Sequence, residues 1–556
     1  MLTNLSLFAV CAFGGSIILL SSLIIARRRV PYSNPPYPPG PRPLPVIGNV
    51  MHISINAPWL AYTAWQKVYG DFFRVRLMGL EVVVVNSEKT ARAMLDQRSI
   101  IYSDRPVLAT NKFYGVEWNT VMLRYGSELR SHRKIFHHAL QADSSLRQRE
   151  IYLRRARTFL ASLLNDPQGF EAHIQGFIGA IIMGITYGYE MQSENDPYVS
   201  AVAQLAEILS NGQTPERAAI LSAFPFLAHI PAWFPGAKFK RDALYSRRLA
   251  QQVLDAPFEF TKLEIAAGTA SQSMVSDCLA QIDEKDDREA QESAIKAAAA
   301  TAYLGESHQT LSSTSLNIWP VTPTAGIETS SSMLHAFILA MVLYPEVQAK
   351  AQSEIDAVIG STRLPCFEDR PSLPYVEAIL REMLRWNPAL PLGIPHATSS
   401  EDIFQGYLIP KGTWVIINSW AMSRDEEKYP DPDEFRPERH FGSDGSLNSG
   451  SITNSPVFGF GRRICPGRFA TDSMMWAAIV SILATFRIEK ARDVDGREID
   501  VKPQFTTGIT MFVDDVGLSG FASSSVLQKP CPFPLRICVS FCTNGEDGQR
   551  RQLTNP

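Results

Sequence analysis

A single cysteine in a glycine-rich loop is the strongest candidate for chemistry in this sequence. Cys465 lies in residues 458–467, which read FGFGRRICPG. Gly461 and Gly467 let the backbone approach a flat ligand closely, and backbone N–H groups at the start of the helix predicted after Gly467 can hold sulfur as a thiolate. Arg463 can pair with a carboxylate. The loop is therefore able to hold Cys465 as a thiolate; the alternative is a plain buried cysteine.

Two other short patterns place charged and hydroxyl side chains at helical spacing. Glu382 and Arg385 are one turn apart and can pair on one helix face, although such a pair alone is usually a solvated surface pair. Residues 325–329 read AGIET, and a glycine inside the long helix predicted there costs about 1 kcal/mol relative to alanine. The alternative for this pentapeptide is an ordinary helix N-terminus.

These motifs, in this order, resemble the cytochrome P-450 family. Residues 458–467 match its cysteine-loop signature FxxGxRxCxG at every fixed position, including Phe458, and ExxR, PERH (437–440) and AGx(D/E)T are also present. The resemblance implies a mainly α-helical fold with small β-sheets. It also implies that Cys465 is the proximal ligand of the iron in haem b (iron protoporphyrin IX), where a thiolate favours O–O cleavage.

The resemblance also implies roles for the other motif residues. Glu382, Arg385 and Arg439 would form a buried ionic triad that is structural and costly to break. Thr329 would donate a hydrogen bond to O₂ in the site, and Glu328 would relay protons from water.

Three basic residues are expected at the haem propionates: Arg133, His396 and Arg463. Arg133 matches the arginine of the family pattern WxxxR, but Leu129 stands where the family has tryptophan, which removes one N–H donor. His396 follows residues 391–395 (PLGIP), as a basic residue does in many relatives. The alternative for His396 is an exposed histidine.

The segments around these motifs predict one domain, residues 51–540. Residues 72–77 and 81–86 look like paired strands joined through Gly79. Helical patterns follow to about residue 360, including residues 289–305 and 325–351. Residues 407–418 are predicted to form a hairpin that turns at 410–412, and a long helix is predicted after Gly467.

The N-terminus predicts a membrane anchor, residues 1–26, and a basic, proline-rich tether, residues 27–50. Residues 5–26 carry no charge, and about 20 apolar residues suffice to cross a bilayer. The arginines at 27–29 should remain cytoplasmic, which predicts a single-pass protein of the endoplasmic reticulum with a cytoplasmic catalytic domain. A cleaved signal peptide is the alternative. Luminal Asn4 would be a possible glycosylation site.

Two segments do not fit the family pattern. Residues 306–324 interrupt a helical stretch and contain two prolines, and residues 512–528 interrupt a typical final hairpin. Our hypothesis is that both are retained introns of a gene model. If the protein carries 306–324, the distal helix is broken beside the oxygen site. Residues 541–556 are predicted to be a disordered tail.

Composition and family together limit the possible partners. The net charge of -3 gives no electrostatic footprint for nucleic acid. The resemblance implies insertion of one oxygen atom from O₂ into an apolar substrate, with electrons from a membrane-bound NADPH-cytochrome reductase that could dock on Arg462, Arg468 and Lys134. Several stretches look like fungal enzymes of secondary metabolism or xenobiotic oxidation. Two alternatives stay open: a haem-thiolate enzyme that rearranges peroxides, and a non-enzymatic or dead haem-binding product.

Overall fold

Helices dominate the part of the chain that the computed structural model describes, which is residues 35–45, 47–54, 57–191, 196–212, 221, 225–282, 287–304, 327–360, 362–490, 495, 497–501, 505 and 538–539. Small sheets accompany them, so the predicted mainly α-helical fold with small β-sheets is confirmed. The two suspected intron segments, the anchor at 1–26 and the tail at 541–556 lie outside the described residues. In chain order the α-helices are α1 Pro58–Tyr69, α2 Glu88–Leu95, α3 Ser99–Tyr102, α4 Ala109–Tyr114, α5 Ser127–Leu140, α6 Ala142–Arg147, α7 Arg149–Asn165, α8 Phe170–Tyr187, α9 Pro197–Gly212, α10 Lys238–Ala267, α11 Met274–Ala280, α12 Arg288–Tyr303, α13 Ile327–Leu343, α14 Pro345–Ile359, α15 Pro374–Trp386, α16 Ser419–Ser423 and α17 Arg468–Thr485.

The strands form one four-stranded sheet and two hairpin-sized sheets. Their bounds are β1 Phe72–Leu77, β2 Leu80–Val85, β3 His396–Ala397, β4 Asp402–Phe404, β5 Tyr407–Ile409, β6 Trp414–Ile417, β7 Phe486–Arg487 and β8 Cys538–Val539. The larger sheet has the order β1-β2-β6-β3, in which β2 and β6 are parallel. β1 and β2 pair antiparallel through a turn in which Met78 and Gly79 have positive φ, which confirms the predicted strand pair.

The hairpin predicted over residues 407–418 is wrong. β5 pairs with β4, across a turn at Gln405 and Gly406, both of which have positive φ. β6 instead lies between β2 and β3. The physical reason is burial: three of its four residues are buried, which suits an inner strand and not one arm of a surface hairpin.

The chain divides into two compact units, each with a core of its own. The first comprises Met1–Pro106, Leu392–Met422 and Phe460–Arg463, and it holds the four-stranded sheet and a small core around Phe72, Val83 and Val415. The second comprises Val107–Pro391, Ser423–Gly459 and Ile464–Pro556, and its core is mainly helical.

Two helices of the second unit position most of the motif residues. α17 is buried over its whole circumference from Ser473 to Thr485, as expected of a central core helix. α15 begins with Pro374 at its first position, where a missing N–H is harmless, and it carries Glu382 and Arg385. The two helices pack against each other, so the helix that begins after Gly467 and the helix that carries Glu382 and Arg385 share one core.

The helical stretch predicted over 325–351 divides in two. α13 ends at Leu343, and Pro345 starts α14, because proline is disfavoured within a helix but accepted at its first position.

No single helix in the described part of the chain has the length and apolarity to cross a membrane. The pair Glu328–Leu343 and Pro345–Ile359, bent by 102°, meets those criteria only when both are taken together.

Candidate haem-thiolate site

Cys465 is held by hydrogen bonds within the loop that precedes α17. Its N–H donates to the carbonyl of Phe458 at 2.8 Å, and its own carbonyl accepts from Nη1 of Arg468 at 3.1 Å. A Cβ built on Gly467 would lie 3.9 Å from the Cys465 sulfur, so the backbone passes directly beside that atom. Cys465 is half-buried, as are the next seven residues, whereas α17 is fully buried from Ser473 onward.

Two opposing effects act on the Cys465 sulfur: burial destabilises its thiolate form, and neighbouring polar groups stabilise it. Burial raises the pKa of the Cys465 thiol, whereas the N–H groups of Gly467 and Arg468 and the guanidinium groups of Arg133 and Arg468 act to lower it. Desolvation therefore favours the protonated sulfur, while these two N–H groups and two guanidinium cations favour the thiolate. A bound metal cation would tip this balance to the thiolate, since a coordinating thiol loses its proton.

Arg133 joins α5 to the cysteine loop. Its Nη1 donates to the carbonyl of Ile464 at 2.7 Å. Burial lowers the pKa of Arg133, and the neighbouring Cys465 opposes that effect. One turn earlier on α5, Leu129 is buried, so the position where the family has tryptophan faces the protein interior here.

In the first unit, His396 and Arg463 share their surroundings with a third basic residue, Arg105, which sequence reasoning missed. Arg105 donates to the carbonyls of Ile394 and Pro395 at 2.7 and 2.8 Å, and Arg463 Nε donates to the carbonyl of Ser103 at 2.8 Å. Arg105 is buried, and burial and the charge of Arg463 lower its pKa. The positive charges of Arg105 and Arg463 repel each other, so this cluster suits an anionic ligand.

His396 is buried, so the alternative of an exposed histidine is wrong. Its Nδ1–H donates to the carbonyl of Tyr102 at 2.8 Å. Burial, followed by the charges of Arg105 and Arg463, lowers the pKa of His396 well below its ordinary value. Without an anion the imidazole is therefore neutral at neutral pH, and an anionic group beside it would raise that pKa again.

Gly461 fixes the loop in the first unit. Its N–H donates to Asp96 Oδ1 at 2.6 Å. Its φ is +57°, and a Cβ there would lie 2.0 Å from the carbonyl oxygen of Leu95. Glycine is required here both for its conformation and for space.

Glu382 lies at the centre of an ionic cluster in the second unit. Arg385 donates to both of its carboxylate oxygens, at 2.9 and 2.8 Å, and Arg439 Nε donates to Oε1 at 2.9 Å. Two donors were not predicted: His440 Nε2 at 3.0 Å from Oε2 and the backbone N–H of Arg436 at 2.9 Å from Oε1. Burial would raise the pKa of Glu382, but the hydrogen bonds, led by that of His440, lower it to about 2.

Glu328 and Thr329 lie in the first turn of α13, and Glu328 is buried. A carboxylate in that turn interacts favourably with the helix dipole. α13 packs against both α15 and α17, the helices of the Glu382 cluster and the cysteine loop. Ala325 and Gly326, which complete the motif, lie outside the described residues.

Comparison with known proteins assigns the family. The model of the family Cytochrome P-450 matches residues 38–318 and 322–512. Cytochrome P-450 monooxygenase claR of Ampulloclitocybe clavipes is 38% identical over 500 residues, 89% of this chain and 86% of its own. Monooxygenase 208 of Postia placenta is 37% identical (90% and 93%) and COX1 of Coprinopsis cinerea 34% identical (87% and 92%). The chain belongs to the cytochrome P-450 family and is a monooxygenase of that family.

The described residues fit haem, the cofactor that the family implies. In the second unit, the half-buried Cys465, beside two N–H groups and two guanidinium cations, suits an iron ligand. In the first unit, the cluster of Arg105, His396 and Arg463 suits a carboxylate. Two residues of these clusters were not predicted from the sequence, although each had a local signal. Arg105 is a basic residue directly before Pro106, and His440 directly follows the predicted Arg439.

Proposed function

We propose that this chain, with haem b bound through Cys465, inserts one atom of O₂ into an apolar organic substrate. NADPH supplies two electrons through a reductase; one oxygen atom enters a C–H bond and the other leaves as water with two protons. The observation that carries the proposal is the environment of the Cys465 sulfur. A Cβ built on Gly467 would lie 3.9 Å from this atom, and two N–H groups and two guanidinium cations act to lower its pKa. Secondary metabolism or xenobiotic oxidation is the proposed setting.

The protein's own residues hold and tune the cofactor. Haem supplies the redox chemistry of O₂ activation, and a thiolate ligand favours O–O cleavage. Cys465 is the proposed ligand, while Arg133, Arg463 and His396 are proposed to bind the propionates, with Arg105 as a fourth residue. Phe458, whose carbonyl accepts the Cys465 N–H, and the two glycines shape the loop. The Glu382–Arg385–Arg439 triad keeps the surrounding segments in place.

Glu328 and Thr329 are proposed to deliver protons to O₂ in the site. Glu328 would take a proton from water and Thr329 would donate a hydrogen bond at the distal side. Replacement Thr329→Val, which keeps the shape of the side chain, should let NADPH oxidation continue while product formation falls. Thr158, an exposed threonine that donates to the carbonyl of Arg154, offers a matched control, Thr158→Val. Equal product yield per NADPH in the two variants would refute this role.

We also propose that the protein is a single-pass protein of the endoplasmic reticulum, anchored by residues 1–26. The described end of the tether supports a stiff connection. The carbonyls of Pro36 and Pro39 accept from Leu408 and Arg74, both at 2.7 Å, and Arg74 stacks over Tyr37 at 4.3 Å. Glycosylation at Asn4 would report a luminal N-terminus. Fractionation of the full chain and of a chain lacking residues 1–26 tests the anchor.

The reductase is proposed to dock on basic residues of α5 and on basic residues within and directly after the cysteine loop. Lys134 is exposed on α5, the helix whose Arg133 contacts the loop. Arg468 and Arg462 complete the proposed surface. Charge reversal Lys134→Glu should lower the rate of haem reduction by NADPH and reductase, more so at low salt. Lys238, exposed on α10, gives the control Lys238→Glu, and identical rates would contradict the surface.

A reduced-CO difference spectrum tests the proposed function directly. The wild-type chain should show the long-wavelength Soret band of a thiolate-ligated carbonyl complex, and Cys465→Ala should not. Cys278→Ala, at a buried cysteine of α11, is the control. Product formed only with NADPH and reductase favours the monooxygenase over a peroxide-rearranging enzyme, and absence of the band in the wild type would refute haem-thiolate function.

A further inference from the structure

A second ionic cluster, separate from that of Glu382, contacts the start of α17. Arg370, in the 3-10 helix Phe367–Ser372, donates through Nη1 and Nη2 to the two carboxylate oxygens of Asp472 at 2.9 and 2.6 Å. The same guanidinium donates to Glu377 of α15 through Nε and Nη2 at 3.0 and 2.8 Å. All three side chains are largely buried, with exposed fractions of 19%, 18% and 13%.

Asp472 lies in the part of α17 that has the least packing. Residues 468–472 are only half-buried, whereas the helix is buried from Ser473 onward. Side chains from neighbouring elements therefore hold this turn. Arg370 holds Asp472, and Ser145 of α6 contacts the carbonyl of Phe469 at 3.2 Å and the hydroxyl of Ser473 at 2.8 Å.

The same turn carries the donors of the cysteine sulfur. A Cβ built on Gly467 would lie 3.9 Å from the Cys465 sulfur, and the N–H groups of Gly467 and Arg468 act to lower the pKa of that sulfur. The carbonyl of Gly467 accepts from the N–H of Thr471 at 2.8 Å. The direction of the first turn of α17 therefore sets the direction of both donors. Hydrogen bonds to a ligating sulfur withdraw electron density and so raise the reduction potential of the metal.

We propose that Arg370 and Asp472 are positioning residues that aim the Gly467 and Arg468 N–H groups at the thiolate and thereby set the reduction potential of the haem iron. This inference rests on the proposed function, because it requires Cys465 to ligate iron. The bidentate geometry supports it, since an arginine–carboxylate fork fixes orientation as well as distance. The Trp476 ring lies 5.6 Å from the Arg370 guanidinium carbon and restricts that side chain further.

The two carboxylates on Arg370 provide a matched test. Asp472→Asn weakens the contact with α17, and Glu377→Gln weakens the contact of the same arginine with α15. Both changes remove one charge and keep the side-chain shape. In the purified holoenzyme we expect Asp472→Asn to shift the ferric/ferrous potential to more negative values and to raise the iron–sulfur stretching frequency in resonance Raman spectra. Glu377→Gln should match the wild type in both, even where its thermal stability falls.

Ser145→Ala supplies a milder change at the same turn and decides the matter if Asp472→Asn does not retain haem. It should shift the potential in the same direction by a smaller amount. Wild-type potentials and Raman frequencies in every haem-loaded variant at the turn, or equal shifts in Asp472→Asn and Glu377→Gln, would overturn the proposal. A wild-type chain without the thiolate-type CO band would instead refute the proposed function, whatever the variants do.

Discussion

His440 Nε2 lies 3.0 Å from Oε2 of Glu382, so the buried carboxylate that accepts from Arg385 and Arg439 has a histidine as a further partner. His440→Phe removes this donor and leaves the two arginines. We expect a loss of about 1.5–3 kcal/mol in the free energy of unfolding, typical of a hydrogen bond to a charged group. Chemical denaturation of the holoprotein measures it. His137→Phe, at an exposed histidine of α5, should change stability little, and equal losses would contradict the contact.

Acid should weaken the fold through Glu382. Its pKa is about 2 in the folded protein against an ordinary 4.5, so the unfolded chain binds the proton more readily. The stabilisation is therefore fully present above about pH 4.5 and is lost as the pH falls toward 2; it corresponds to roughly 3 kcal/mol. Urea denaturation across this range should show the decline. Glu382→Gln should be less stable at neutral pH and lack that part of the decline; an unchanged pH slope would refute the assignment.

Two glycines of the cysteine loop should respond very differently to alanine. Gly461→Ala places a Cβ 2.0 Å from the Leu95 carbonyl at a positive φ, so we expect a loss of about 3 kcal/mol or more. Gly467→Ala places its Cβ at an ordinary contact distance, 3.9 Å from the sulfur, and Gly467 has φ -81°, so a loss below about 1 kcal/mol is expected in the absence of haem. Thermal unfolding of both variants provides the comparison. A larger stability loss in Gly467→Ala than in Gly461→Ala would contradict the backbone positions of these two glycines.

Arg105→Gln should accelerate haem loss. The side chain is buried beside His396 and Arg463, and loss of one cation from a propionate site should raise the rate of haem transfer to apomyoglobin about tenfold or more. Arg98, paired with Asp402 in the same unit and 40% exposed, gives the control Arg98→Gln. If both variants release haem at the wild-type rate, Arg105 does not contact the propionates.

Removal of residues 306–324 should increase the fraction of the protein that binds haem. The match to the family model is interrupted at residues 319–321, within this segment, and ends at residue 512, where the second suspected segment begins. Sequencing of transcripts should yield spliced reads that lack both segments. The shortened chain should give a higher yield of haem-loaded protein than the 556-residue chain. Spliced reads that retain both segments would refute the intron hypothesis.

Local patterns in the sequence were sufficient for much of the architecture. The β1–β2 pair, α15 with Glu382 and Arg385 one turn apart, and the helix after Gly467 follow from periodicity and glycine placement. The cysteine signature was specific enough to assign the family, which the comparisons then established.

The remaining features depend on contacts between distant segments. The pairing of β6 with β2 joins residues far apart in the chain, and a sequence window around residues 407–418 contains only the local, wrong alternative. The low pKa of His396 comes from burial and from Arg105, which no motif contains. His440 contacts Glu382 because of how residues 437–440 fold back on α15, not because of any spacing that a helix or strand would impose.

The parallel pairing of β2 with β6 also limits how early during synthesis the protein can complete its fold. Asn86 and Asn418, at the ends of these strands, are 332 residues apart and joined by a 2.8 Å side-chain hydrogen bond. At the usual speed of translation the ribosome needs roughly half a minute to cover that interval. The β1–β2 pair is therefore synthesised early, and the edge of β2 that pairs with β6 remains unpaired until β6 has been made. We expect the nascent chain to depend on chaperones during that delay.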